Sequence, residues 1–298
     1  MSDRRPEAPA TGFTFNERVS ECDVCGRDAF YSVDAGANIV QCASCGYRFV
    51  NPRPSQAEIA AAYSDPHFYD GWIADDAGRK RMWIKRARLV RSRAKGTRLL
   101  DVGAGIGTFL AMARDAGWQV SGTEVSASAR ALAQQRYGVD LMFGQAEELH
   151  LPSQAFDVIT LWHVLEHVPS PSRLLRVCHD SLVPGGCLVI AVPNDSDPVM
   201  VPDRWKRRLK AVAGRTHPVR QRYERLAPGS EIHLSHFTAP VLKQLLAKEG
   251  FRVRWMSVDD HYPKPGWKTD TQIAAYRLIH RFTGINLGEA MLVVADRD

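Results

Sequence analysis

The sequence predicts an α/β protein: a mainly parallel sheet covered on both faces by helices, preceded by a small metal-held unit. Three observations carry this. From Arg98 onward, short apolar runs alternate with stretches of helical periodicity. A glycine-rich turn, Asp101-Val102-Gly103-Ala104-Gly105-Ile106-Gly107, joins the first of those strands to its helix. Two Cys-x-x-Cys pairs, Cys22/Cys25 and Cys42/Cys45, lie near the N-terminus. Composition agrees: of 298 residues, 45% are hydrophobic and 24% charged, which excludes a disordered or collagen-like chain. No run approaches the ~18 apolar residues of a membrane-spanning helix. Residues 1–12 lack the apolar segment of a secretory signal, so the expected location is cytoplasmic.

In chain order, residues 1–19 read as a tail and 20–54 as a zinc ribbon. Residues 55–97 read as a helical linker or lid, and 98–298 as the α/β domain with an insertion at 195–232. Each Cys-x-x-Cys can present two thiolates from a tight knuckle, with Gly26 and Gly46 where the backbone turns. Two knuckles complete the tetrahedral sulfur cage that zinc prefers, and four protein ligands make such a site structural. Disulfides are disfavoured without a secretory signal. Cys178 and Cys187 lie far away and read as core residues. The β-like pieces of the ribbon are too small to fold without their metal. Asn51-Pro52-Arg53-Pro54 is a rigid link, and Ser55-x-x-Glu58 is a capping box opening a helix through Tyr63. Trp83, Ala87 and Val90 share a face of a helix expected over 72–93. Strands are expected at 98–102, 118–125, 139–143, 156–162, 187–192, 251–258 and 290–295. Helices are expected at 108–116, from Ser126 to Gly138, at 170–182 and at 238–248.

The formal net charge is +6, but it is not spread evenly. Ten Lys and Arg and no acid lie between Arg79 and Arg98, and nine against one acid between Arg204 and Arg225. The rest of the chain therefore carries 6 − 18 = −12. The default meaning of a charge run is a solvated helix face. Within the second patch, Val201, Trp205, Leu209 and Val212 fall at helical spacing among the cations. That segment is read either as a lid helix over a substrate pocket or as an interfacial helix against an anionic membrane surface.

Glycines at alternate positions let a ligand press on the backbone where helix N–H groups face it. Glu124, at the end of the next strand, can accept both hydroxyls of a ribose. The spacing is G-x-G-x-G, not the G-x-G-x-x-G that houses a pyrophosphate, and Asp101 lies just before the loop. A carboxylate there suits a cation. S-adenosylmethionine has an ammonium, a sulfonium, a ribose and no phosphate, and is the expected cofactor.

His163, Glu166 and His167 would share one face of a helical turn. The inverted zinc-protease reading of H-x-x-E-H fails because the segment leaves a sheet strand. Two readings stay open: a packed structural turn, or a trio that holds a divalent ion or supplies a base. His233 and His236 precede the helix at Thr238, either as local hydrogen bonders or as proton acceptors near the substrate.

At these residues the chain resembles the class I S-adenosylmethionine-dependent methyltransferases, over 98–298. Asp101 to Gly107 matches their first motif, with Gly103, Ala104, Gly105 and Gly107 as backbone contacts. Glu124, followed by Val125, matches their ribose-binding acid. Gln145-Ala146-Glu147 falls where adenine is held, with Gln145 in place of the usual acid. Phe156 to Ile159, then Trp162 to Val168, match the fourth strand and the loop beyond it, and Leu182 to Gly186 matches the turn before the fifth. The resemblance implies a Rossmann-like, doubly wound, seven-stranded sheet with one antiparallel strand near 291–295. It also implies a role for His163, Glu166, His167, His233 and His236 on the substrate side. The ribbon with Phe49-Val50-Asn51-Pro52-Arg53-Pro54 looks like a bacterial subgroup acting on small molecules, sugars or lipid-linked precursors. Leu165-Glu166-His167-Val168 is similar to the ubiquinone-pathway O-methyltransferases. O-methylation of such an acceptor is the first expectation. An RNA methyltransferase is the alternative, thinly supported because only Trp83 and Trp205 lie among the basic residues of the two helices. A non-catalytic zinc-ribbon binding module is the second alternative. Nothing in the residues sets the oligomeric state.

Overall fold

The computed structural model describes residues 12–64, 73, 76–200, 222–260 and 266–298. The helix read over Val201 to Val212 lies outside the described residues. The ribbon is built from three short antiparallel strands, β1 (Phe30–Asp34), β2 (Ile39–Cys42) and β3 (Arg48–Val50). The Ser55 capping box forms as the sequence requires and opens α1 (Gln56–Tyr63). The basic helix follows as α2 (Asp76–Arg93).

The α/β part begins with β4 (Arg98–Val102), α3 (Thr108–Asp115) and β5 (Gln119–Glu124). Ser126 caps α4 (Ala127–Tyr137), accepting from Ala129 N–H, and Gly138 ends it in the left-handed region at φ 61°. After β6 (Met142–Phe143) and β7 (Phe156–Trp162) comes α5 (Pro171–Ser181). β8 (Leu182–Pro193) starts five residues earlier than its apolar run suggested, because Leu182 already pairs with Phe156. The chain closes with β9 (Ser235–His236), α6 (Ala239–Lys248), β10 (Phe251–Val258), α7 (Trp267–Thr283) and β11 (Ala290–Arg297).

Seven strands form one sheet in the order β10-β11-β8-β7-β4-β5-β6. β11 alone runs antiparallel to its neighbours, β8 and β10. The order reverses between β4 and β7, so their C-terminal ends open a crevice. One hydrophobic cluster between sheet and helices includes Leu100, Ile159, Leu188 and Val293, all with no exposed surface. A second, on the other face, holds Trp83, Phe109 and Trp162.

Two features were absent from the sequence reading. β9 is too short to carry a period, yet it pairs with β3 and becomes the fourth strand of the ribbon sheet. Tyr47 stacks on Phe237 at 5.7 Å and its hydroxyl meets Ser235 Oγ at 2.5 Å. Tyr47 and Phe49 thereby join the same apolar cluster as the large sheet. Asp23, in the first knuckle, accepts from Ser172 N–H at 2.6 Å at the start of α5. The second feature is α7, whose helical period is blurred because only Ile273 is buried along its length.

Candidate functional site

A cavity of about 530 Å³ opens at the reversal of strand order, a size suited to a cofactor with its acceptor. Its wall contains Asp101, Gly103, Ala104, Gly105, Glu124, Val125, Gln145, Ala146 and Trp162, nine of the ten residues read as cofactor-binding. Gly107 does not reach the cavity. It caps the N-terminus of α3 at φ 76°, and a Cβ there would come within 2.9 Å of Ala133 Cβ. The three loop glycines all have positive φ, and a Cβ on Gly103 would approach Val164 Cγ2 to 2.7 Å. Bare backbone at this position is therefore a steric requirement.

Glu124 is fixed from two sides, Gly105 N–H donating to Oε2 at 2.7 Å and Ser126 N–H to Oε1 at 2.9 Å. Burial pushes its pKa up, against those donors. Asp101 is 2% exposed, and burial raises its carboxyl to about 7 although Thr160 Oγ1 donates to it at 2.6 Å. A desolvated carboxyl poised this way gains from a cationic ligand. Trp162 also belongs to the wall, and its buried Nε1 has no hydrogen-bond partner among the described residues. Asp101, Glu124 and the bare glycines all fit S-adenosylmethionine.

The substrate-side residues are only partly gathered as expected. His163, His167 and His233 line the cavity; Glu166 is fully buried behind it, and His236 is not in its wall. The segment is a set of turns, not a helical turn, and His163 itself has φ 56°. A non-glycine residue in that region marks a constrained position. Burial would lower the His163 pKa, but Asp259 and Glu166 raise it to about 9. Nδ1 lies 3.2 Å from Glu166 Oε1, and Nε2 lies 3.6 Å from Asp259 Oδ2. The two carboxylates thus favour the protonated form of His163, against burial and the Arg86 guanidinium 3.3 Å from Nε2.

His167 differs. Burial lowers its pKa, so it is neutral at pH 7. Its Nδ1 is 2.7 Å from the Ile232 carbonyl oxygen, which can only accept, so Nδ1 carries the proton and Nε2 keeps its lone pair. Tyr63 Oη also touches Nδ1 at 2.8 Å. His236 is driven by burial to about 4 and packs on Tyr223 at 4.9 Å, the environment of a structural imidazole.

Two groups of metal-competent side chains exist among the described residues. In the ribbon, Cys22 Sγ and Cys45 Sγ are 3.5 Å apart and Cys25 Sγ and Cys42 Sγ 3.6 Å. These are too long for the ~2 Å of a disulfide. They are close to the ~3.8 Å edges of a tetrahedron with ~2.3 Å zinc–sulfur bonds. All six cysteines are free thiols. The other group is Glu166, His167 and His233, whose ligand atoms lie within 4.8 Å of one another. Its members are not the trio read from the sequence: His163 is held in ion pairs instead.

Arg86 and Asp259 were missed. Both are almost fully buried, at 3% and 2% exposure, and they form an ion pair beside His163. The Arg86 guanidinium lies 4.7 Å from the Trp162 ring centre and 5.1 Å from that of Trp83. In the sequence Arg86 was one of ten cations, and Asp259 an acid at a strand end. Of the remaining cations, Arg98 pairs with Asp157 at 2.8 Å, and Arg81 and Lys85 pair with Asp270 and Asp260. The first basic patch is therefore not simply a solvated face.

The chain is similar to known methyltransferases. A methyltransferase-domain family model matches residues 76–254. The ubiquinone biosynthesis O-methyltransferase of Pseudomonas syringae is 36% identical over 111 residues, covering 35% of this chain and 47% of that protein. That of Coxiella burnetii is 34% identical over 105 residues, covering 34% and 45%. The matched stretch thus spans about half the length of these relatives. Among solved structures, Burkholderia thailandensis 1,6-didemethyltoxoflavin-N1-methyltransferase, with its substrate and S-adenosylhomocysteine bound, is 20% identical. It covers 90% of this chain and 98% of its own, at a TM-score of 0.52. No helix among the described residues is long and apolar enough to cross a membrane.

Proposed function

We propose that this chain, which belongs to the class I S-adenosylmethionine-dependent methyltransferase family, O-methylates a small-molecule or lipid-linked acceptor held beside His167. The observation that carries the reading is a single cavity whose wall joins the glycine loop and Glu124 to His163, His167 and His233. The partial likeness to ubiquinone-pathway O-methyltransferases supports a hydroxyl acceptor.

When bound, S-adenosylmethionine supplies a methyl group already activated by its sulfonium. The chain's own residues do the rest. Gly103, Ala104 and Gly105 give close backbone contact, Glu124 offers its free lone pairs to a ribose diol, and Gln145 and Ala146 wall the adenine side. Asp101 supplies negative charge toward the cationic end. His163, held between Glu166 and Asp259, keeps a positive charge at the edge of the acceptor site, while His167 Nε2 takes the hydroxyl proton. Cys22, Cys25, Cys42 and Cys45 hold a structural zinc, with the cavity left to the chemistry.

Incubation with methyl-labelled S-adenosylmethionine and a lysate split into small-molecule, lipid and RNA fractions tests the reading. Label is expected in the small-molecule or lipid fraction and its loss in His167→Ala. Label in RNA would favour the RNA reading. Absence of any calorimetric heat with the cofactor would favour a binding module. Activity lost to a chelator while the ribbon keeps its zinc, and restored by magnesium, would make Glu166, His167 and His233 ligands instead.

A further inference from the structure

Helix α7 is built the wrong way round for a helix that merely covers a sheet. It spans Trp267–Thr283, and only Ile273 is buried, with Tyr276 and His280 partly so on the same face. His280 Nε2 contacts the Met256 carbonyl oxygen at 3.1 Å and Arg277 Nε donates to that of Val258 at 3.2 Å, so this face lies on β10. Thr271, Ala275, Leu278 and Phe282 recur at i, i+4, i+7 and i+11, which places them on the opposite side. Trp267 and Phe282 are 75% and 77% exposed, Leu278 58%, and Ile285 just beyond the helix 45%. A row of large apolar side chains turned to solvent signals a docking surface.

Charge selects the occupant. α7 carries Lys268 and Arg281, both exposed, against Asp270, while Arg277 is turned toward β10. Asp270 is engaged by Arg81 of α2 and has Lys85 at 3.8 Å, so the basic helix lies beside α7. α2 holds eight Lys and Arg to one acid, and Lys80, Arg88 and Arg91 are exposed along it, with Ile84 among them. Asp260, the other acid on this side, is paired with Lys85. A second copy docking through the same face would bring two cationic surfaces together. We infer that α7, flanked by α2, docks on the surface of an anionic lipid bilayer, with Trp267, Leu278 and Phe282 entering the headgroup boundary. Aromatic and aliphatic residues on one side with cations on the flanks are what such an interfacial helix needs. Met82, Trp83 and Arg86 of α2 also wall the cavity, so docking sets the cavity beside the bilayer. The inference does not depend on which acceptor is methylated.

The test is co-sedimentation of the full-length protein with vesicles of phosphatidylcholine alone or with a third phosphatidylglycerol, at low and high salt. Binding is expected at least tenfold stronger with the anionic lipid and reduced by salt. The double variant Trp267→Ser/Phe282→Ser is expected to lose at least tenfold in vesicle binding. Calorimetric S-adenosylmethionine binding should be unchanged, which separates docking from fold and cofactor site. Arg88→Glu/Arg281→Glu should abolish the preference for anionic lipid. No binding to anionic vesicles, or equal binding by the Trp267/Phe282 variant, overturns the proposal. A concentration-dependent dimer in light scattering that the same variant abolishes, without vesicle binding, would make the occupant a second copy.

Discussion

Asp259→Asn is the most informative single change, because it keeps shape while removing one charge. Asp259 and Arg86 are buried together at 2% and 3% exposure, with the guanidinium beside two indole rings. Removing one member of such a pair leaves the other charge uncompensated, a loss of ~3–5 kcal/mol. For a domain of this size that lowers the melting temperature by roughly 10 °C. The same change withdraws one of the two carboxylates that raise His163 from 6.5 to about 9. A folded-state pKa above the unfolded one gives stability that is complete below pH 6.5 and lost as pH rises through about 9. At 1.36 kcal/mol per pKa unit the span amounts to ~3 kcal/mol at most. In Asp259→Asn that slope should shrink, with Glu166 alone left to raise His163, which should titrate below 9. Imidazole resonances followed by NMR from pH 5 to 10, assigned with His163→Gln, read the titration, and calorimetric melting at each pH reads the stability. If His163 still titrates near 9, and the melting temperature is unmoved, the buried network has been wrongly assigned.

Other outcomes follow from the same geometry. Gly103→Ala forces a Cβ to within 2.7 Å of Val164 at φ 67° and should abolish measurable cofactor heat while far-ultraviolet circular dichroism is retained. Asp101, raised to about 7 by burial, must ionise to hold a cation, so S-adenosylmethionine affinity should rise as pH increases through 7; Asp101→Asn should bind weakly with no such dependence in calorimetry. His167→Ala should cut kcat by ~10²–10⁴ with cofactor affinity little changed, the usual loss for a general base. Cys22→Ser, or zinc removal by a chelator, should release metal measured by mass spectrometry. It should also shift the His233 and His236 resonances, since β9 is a strand of the ribbon sheet.

Much of the fold was legible because it rests on local rules. The capping box at Ser55, the Ser126 cap and the alternating apolar runs each needed only a few neighbouring residues. That Asp101, Gly103, Ala104, Gly105, Glu124 and Val125 would line one cavity was legible for the same reason: a glycine loop and the acid ending the next strand form one short unit. α7 was hidden because its apolar face points away from the protein, so its pattern reports a surface and not a core. β9 was hidden because two residues carry no periodicity, and its pairing partner lies almost 190 residues earlier.

The sequence by itself determined the sheet-and-helix order, the cofactor loop and the four thiols of the ribbon, since each is encoded in contiguous spacing. Only the tertiary structure decided what the histidines and cations do. Asp259 reaches His163 from a distant segment and favours its charged form, burial keeps His167 neutral, and the remote Ile232 carbonyl fixes the tautomer of His167. Arg86 leaves its helix's cationic row because folding buries it against Asp259. A side chain's charge depends on burial and on the groups facing it, and neither is set until remote parts of the chain meet.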